Sequence, residues 1–196
     1  IYGEVSMHPA KDSGKYMAKA IGNGIKRMTD KLDILNPDIL VILGDRIEAL
    51  AAAIAAAYMN IPIAHIHGGD KSRAGLDESI RHSLTKLAYI HLTATRKSAQ
   101  RILKMGEDKW RIFVVGSPGI NNIKKQRLLN SLLICQRFGI VPVTDKYLVL
   151  LQHSVTTQSD EAASQIKKTI QAIKKSKLKT VIIYPNSDAG GREIIK

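Results

Sequence analysis

The feature that most constrains this chain is a strict alternation of short apolar runs with longer helical stretches. Runs of strand length lie at residues 38–43, 61–66, 89–93, 111–115, 146–151 and 180–184. The first, Asp38-Ile-Leu-Val-Ile-Leu43, is apolar on both faces, as parallel strands are. Helical segments are expected at about 10–35, 46–59, 76–87, 96–105, 120–125, 128–138, 160–176 and 188–196. Asn36-Pro37 is the stop signal of the first helix. Units that repeat in this βαβ order imply an α/β fold with parallel, doubly wound sheets and right-handed crossovers. Residues 139–145 read as a linker, so the chain divides into a first domain at 1–141 and the start of a second at 146–196. The chain opens on Ile1 and stops inside the last helical stretch, and both ends look cut. The expectation is an internal fragment of a longer protein, with both domains incomplete.

Cys135 is the sole cysteine, so there is no disulfide framework and no cysteine metal site, which fits a reducing cytoplasm. No secretory pattern opens the chain, and the apolar stretch 50–64 is too short to span a bilayer. The net charge of +13 is uneven: 13 Lys+Arg face 10 Asp+Glu through residue 98, and 17 face 7 beyond it. Such a balance raises nucleic acid as a partner. Aromatics make up only 5%, which leaves few stacking platforms, and the lysines at 167, 168, 174, 175, 177 and 179 read as a solvated helix face. A phosphate-bearing small molecule accounts for local positive charge without nucleic acid or membrane.

Polar residues fall just after the strands. Gly44-Asp45-Arg46 follows the first, His65-Ile-His-Gly-Gly-Asp70 ends the second, and Ser117-Pro118-Gly119 follows the fourth. Gln152-His153 ends the first strand of the second unit and Asn186-Ser-Asp188 follows the next. All belong to the carboxyl edge, where open α/β sheets bind ligands. Residues 65–82 alone hold three histidines, three carboxylates and two arginines. Crowding of this kind shifts pKa values and creates usable bases near neutrality.

Each group also has a plainer reading. Asp45 can cap the helix that follows it. Asp77 and Glu78 suit a helix dipole, and Arg81 can pair with Asp77 one turn away. His65 and His67, two apart on a strand, are expected on one face, but no further ligand set at metal spacing accompanies them. Neither a Gly-x-Gly-x-x-Gly loop nor a Walker pattern occurs.

Taken in order and spacing, Gly44-Asp-Arg46, His65-Ile-His-Gly-Gly-Asp70, Asp77-Glu-Ser-Ile-Arg-His82 with Lys86-Leu87, Val115-Gly-Ser-Pro118, Leu151-Gln-His-Ser-Val-Thr-Thr157 and Pro185-Asn-Ser-Asp-Ala-Gly190 resemble the motifs of the UDP-N-acetylglucosamine 2-epimerases. The hydrolysing branch, of sialic-acid-type biosynthesis, is the closer match. The resemblance covers the whole chain. It implies two Rossmann-like domains in a GT-B-type architecture, with a nucleotide sugar between them. It further implies that a first strand and basic loop belong before Ile1, and that a uridine-diphosphate-holding loop belongs after Lys196. The chain departs from the pattern in carrying His67 and Asp70 where relatives often have glutamate, and Ser154 where proline is usual.

The implied reaction removes the proton at C2 and expels UDP from C1 to give a glycal. Water then adds at C1, and C2 is protonated from the opposite face. The resemblance implies Asp45, His67 and Asp77 as acid/base groups, with His153 in the catalytic set against substrate or diphosphate. Arg46, His65, Asp70, Glu78, Arg81, Ser117 and Asn186 are the implied substrate-binding groups. No cofactor or metal is needed, and the complete protein is expected to be a cytoplasmic homo-oligomer. A GT-B glycosyltransferase and an inactive fragment are the alternatives. The exact sugar, and UDP or GDP as its nucleotide, stay open.

Overall fold

The computed structural model describes every residue except 1, 2, 10, 12, 73–75, 127, 128 and 142–145. In chain order the elements are α1 (Gly14–Leu35), β1 (Leu40–Leu43), α2 (Ile47–Tyr58), β2 (Ile63–Ile66), α3 (Asp77–Leu87), β3 (Ile90–Thr93), α4 (Arg96–Lys104), β4 (Ile112–Val114), α5 (Pro118–Lys125), α6 (Ser131–Arg137), β5 (Tyr147–Leu151), α7 (Ala162–Ser176), β6 (Lys179–Ile183) and α8 (Gly191–Ile195). Single 3₁₀ turns precede β4 (Lys109–Arg111) and α7 (Thr156–Glu161). The alternation expected from the sequence is present throughout. The largest shortfalls among the described residues are at α8 and then α6, and α7 also starts late. The 3₁₀ turn takes the expected start of α7, and the loop after β6 runs on to Gly190.

Two compact units divide the chain, one holding most residues up to Pro118 and the other running from Gly119 to Lys196. This boundary lies upstream of the expected linker, so α5 and α6 cluster with the second unit. Residues 142–145 of that linker are outside the described set.

The first unit carries a four-stranded parallel sheet in the order β1-β2-β3-β4. Sequential neighbours in a parallel sheet need a crossover, and α2, α3 and α4 supply the three. The run Ala51-Ala-Ala-Ile-Ala-Ala-Ala57 lets α2 lie close against the sheet, with Ala51, Ala53 and Ala56 fully buried. Around it Leu32, Ile42, Ile63, Ile80, Leu84 and Ala88 close the core. Full burial of a side chain such as Leu84 or Ile63 contributes about 1.5–3 kcal/mol. Helix α1 ends where Asn36 turns to φ 40° and donates its N–H to the Leu32 carbonyl at 2.8 Å, just ahead of Pro37.

A polar anchor closes the amino edge of this sheet. Glu107, which follows α4, is almost fully buried. Its carboxylate receives Lys86 from the end of α3, Arg111 at 2.9 Å from just before β4, and buried His91 of β3 at 3.3 Å. Three elements are thereby tied to one carboxylate.

The second unit has β5 and β6 paired in parallel, from Tyr147↔Lys179 to Leu151↔Ile183, with α7 as their crossover.

Candidate active site

The carboxyl edge of the first sheet gathers most of the candidate residues. After β1 the chain turns at Gly44, whose N–H donates to the Ile66 carbonyl at 3.0 Å. Asp45 follows, half-buried, and accepts a hydrogen bond from the Arg81 guanidinium of α3. Arg81 is buried. Its partner is therefore a carboxylate 36 residues away on another element, and the sheet order creates the pair. Spacing along the helix offered Asp77 as a mate for Arg81, and the fold brings it Asp45. Arg46 makes a 3.5 Å ion pair with Glu48 in an exposed setting. Asp77 and Glu78 begin α3 in half-buried positions, and His82 points to solvent.

His65 and His67 do not share a face. β2 ends at Ile66, and His67 adopts φ 67°, in the left-handed region. That turn breaks the pleat alternation on which the same-face expectation rested. His65 is fully buried, and its Nε2 donates to the Gly44 carbonyl at 2.7 Å. In this position the His65 ring holds the Gly44-Asp45 turn. Burial depresses its pKa to about 4, against the opposing pull of the Gly44 carbonyl.

A prediction follows from that depression. The unfolded chain protonates His65 near pH 6.5, whereas the folded chain resists until about 4. Between those values the unfolded state binds more protons, so stability falls as pH drops from 6.5 to 4 and is fully present above 6.5. The shift corresponds to about 3 kcal/mol. Urea unfolding at pH 7 and pH 4.5 should show this loss in the native chain and a shallower slope in His65→Gln. Equal slopes would contradict it.

His67 is only half-buried and sits among polar partners. Its Nδ1 lies 2.8 Å from Asp70 Oδ2, and its Nε2 lies 3.3 Å from Ser117 Oγ. Asp70 also accepts from Ser98 Oγ at 2.5 Å. Its carboxyl titrates below the usual range. Burial pushes it up, but the hydrogen bonds from Ser98 and His67 outweigh that, with help from the charge on Arg81. The loop that carries these groups is pressed onto α4. Gly69 has φ 75°, and a Cβ there would overlap the Ser98 carbonyl, so only glycine fits. Arg101 of α4 donates to the Gly69 carbonyl from the other side.

Ser98 had no place among the sequence candidates. The available signal was Thr95-x-x-Ser98 at a helix start, where Thr95 Oγ1 accepts the Ser98 N–H at 3.1 Å as the α4 cap. Nothing in the linear spacing pointed Ser98 at Asp70.

In the second unit, His153 follows β5 and is exposed. Its Nδ1 accepts the Asn186 N–H at 3.1 Å, which joins the loops after the two neighbouring strands. Asn186 donates from its side chain to Asp188 at 2.7 Å. Among the described residues, no group of three or more His, Cys, Asp or Glu is arranged to hold a metal ion.

The family model for UDP-N-acetylglucosamine 2-epimerase matches residues 2–196. The chain belongs to the UDP-N-acetylglucosamine 2-epimerase family. It is 39% identical, over its whole length and 52% of the relative, to the UDP-N,N'-diacetylbacillosamine 2-epimerase (hydrolyzing) of Legionella pneumophila. It is 32% identical to the UDP-N-acetylglucosamine 2-epimerase of Neisseria meningitidis serogroup B, over 93% of this chain and 48% of that protein. Among solved structures, the Neisseria meningitidis UDP-GlcNAc 2-epimerase bound to UDP-GlcNAc superposes with a TM-score of 0.71 at 20% identity. That match covers 90% of this chain and 50% of the other. The chain thus spans about half the length of the epimerases it matches, and the last likeness shows the fold. At the carboxyl edge of the first sheet in this epimerase-family chain, Asp45 is paired with Arg81 and His67 with Asp70.

Proposed function

We propose that this family member is a hydrolysing nucleotide-sugar 2-epimerase. It would convert UDP-N-acetylglucosamine, or a related UDP- or GDP-sugar such as the diacetamido sugar of its Legionella relative, into the free 2-epimer and nucleoside diphosphate. For the first substrate the product is N-acetylmannosamine. The observation that carries the proposal is the presence of two separate proton-handling groups at one sheet edge: the Asp45 carboxylate, held by Arg81, and the His67 imidazole, held by Asp70. Inversion through a glycal needs two proton transfers at C2 on opposite faces, so one group does not suffice.

In this reading a base of the Asp45, His67 and Asp77 set removes the C2 proton. The C1–O bond breaks and its electron pair leaves with UDP. Water adds at C1, and C2 takes a proton on the other face. Arg81 holds Asp45 oriented. In this reading Arg46, Glu78 and Ser117 are the substrate-binding groups of the first unit, and His153 and Asn186 those of the second. An anionic leaving group is best met by such N–H donors and cations. The 39% identity to a hydrolysing enzyme supports water as acceptor. Among the described residues no helix is long and apolar enough to cross a membrane. The relatives are about twice as long as this chain, and catalysis draws on binding energy far from the reacting carbon. We expect little turnover from the 196 residues by themselves.

The test is incubation of the complete protein, at the length of its relatives, with each UDP-sugar in deuterated water. The expected products are UDP and a free 2-epimer carrying one deuterium at C2. Release of unepimerised sugar without deuterium would show simple hydrolysis and overturn the proposal.

A second expectation concerns His153→Ala. The side chain is exposed, so loss of its bond to Asn186 should cost only about 0.5–1.5 kcal/mol. UDP affinity, measured by calorimetric titration, should fall by more than stability does. Unchanged affinity with a large drop in melting temperature would leave His153 a purely structural tie.

A further inference from the structure

We propose that Asp70 and Ser98 are positioning residues for His67, which fix its ring proton on Nδ1 and leave Nε2 as the nitrogen that exchanges a proton with substrate. This deepens the epimerase reading of the same site and rests on it for the chemistry, but not for the hydrogen-bond order.

The order follows from counting protons. An ionised carboxylate only accepts. Asp70 Oδ2 faces His67 Nδ1 at 2.8 Å, so Nδ1 carries the hydrogen. Asp70 Oδ1 faces Ser98 Oγ at 2.5 Å, so the Ser98 hydroxyl spends its one hydrogen there. Ser98 Oγ must then accept from Thr95 Oγ1 at 2.8 Å, and Thr95 Oγ1 is free to accept the Ser98 N–H. Every donor has one acceptor, and the direction runs from Thr95 through Ser98 to Asp70, with His67 donating from the other end.

In the neutral ring Nε2 is left with a bare lone pair. Its neighbour is Ser117 Oγ at 3.3 Å, a long hydrogen bond that an incoming hydroxyl or C–H group displaces at small cost. Ser98 itself is almost fully buried and cannot meet substrate. The charged groups around Asp70 are His67 on its own loop, Arg81 from α3, and Arg101 from α4, which is engaged with the Gly69 carbonyl. The low titration of Asp70 keeps it an acceptor through the working range, as the order requires.

A merely structural pin would not select a tautomer, so the tautomer is the readout. In the protein with ¹⁵N-labelled histidine, the ring shifts of neutral His67 should report Nδ1–H, against the ordinary preference of a free histidine side chain for Nε2–H. Asp70→Ala should return His67 to the ordinary tautomer. Ser98→Ala should raise the carboxyl titration of Asp70, move the acidic limb of the pH–rate profile, and lower kcat by up to about 100-fold with little change in KM. Ser98→Thr should restore all three. An Nε2–H ring in the native protein overturns the inference, and needs no variant that has to fold. Unchanged Asp70 titration in Ser98→Ala does so as well. A fixed Nδ1–H tautomer in a protein that epimerises no nucleotide sugar would instead overturn the proposed function and leave the positioning intact.

Discussion

Replacing Asp45 by asparagine is expected to lower turnover by about two to four orders of magnitude, the usual scale of an acid–base group. Asparagine keeps the shape and can still accept a hydrogen bond from Arg81. It cannot take a proton, and it removes the charge that balances the buried guanidinium. The fold should pay for that imbalance as well. Breaking a buried pair outright costs about 3–5 kcal/mol, and asparagine retains part of the contact, so a loss of about 1–3 kcal/mol is expected. Turnover measured well below the melting transition separates the two effects. Near-normal turnover in folded Asp45→Asn would reduce Asp45 to the partner of Arg81.

Glu107→Ala should be the most destabilising single change among the charged residues of the first unit, at about 3–5 kcal/mol. The carboxylate is nearly fully buried, and its removal leaves His91, also fully buried, and Arg111 without their common acceptor. Lys86 is largely exposed and adds little of this. The carboxyl titrates below its ordinary value. Burial works against that, and the bond and charge of Lys86, then His91, override it. The sign is that of a depressed acid: the stabilisation is present above the unfolded value near 4.5 and is lost as pH falls through the lower folded one. Denaturant titration at neutral pH should show a lower midpoint with an unchanged slope. A loss under about 1 kcal/mol would mean that Lys86, Arg111 and His91 find water or other partners instead.

Local pattern carried the elements, because strand length, apolar runs and stop signals such as Asn36-Pro37 act within a few residues. The carboxyl-edge position of Asp45, His67 and Ser117 was legible for the same reason: each follows a strand directly. Partnership was not legible. Arg81 had a plausible mate in Asp77, yet the sheet order brings Asp45 to it. Ser98 meets Asp70 across 28 residues because α4 packs on the glycine turn. Glu107 belongs to no motif of the sequence, and only the fold makes β3, α3 and the approach to β4 converge on it. The shared face of the two histidines failed for a backbone reason, since period-two reasoning holds only while the chain stays extended.

That backbone reason has a consequence for substitution at position 67. A non-glycine residue held in the left-handed region costs about 1–3 kcal/mol, so His67 is a standing load on the fold. Glycine at 67 would relieve it. On the proposed reading the imidazole is kept for its proton transfer and not for the backbone, which would sit more easily with glycine. His67→Gly therefore trades the strain of a left-handed histidine against the loss of its contacts to Asp70 and Ser117, so its cost in stability should be small beside its cost in turnover.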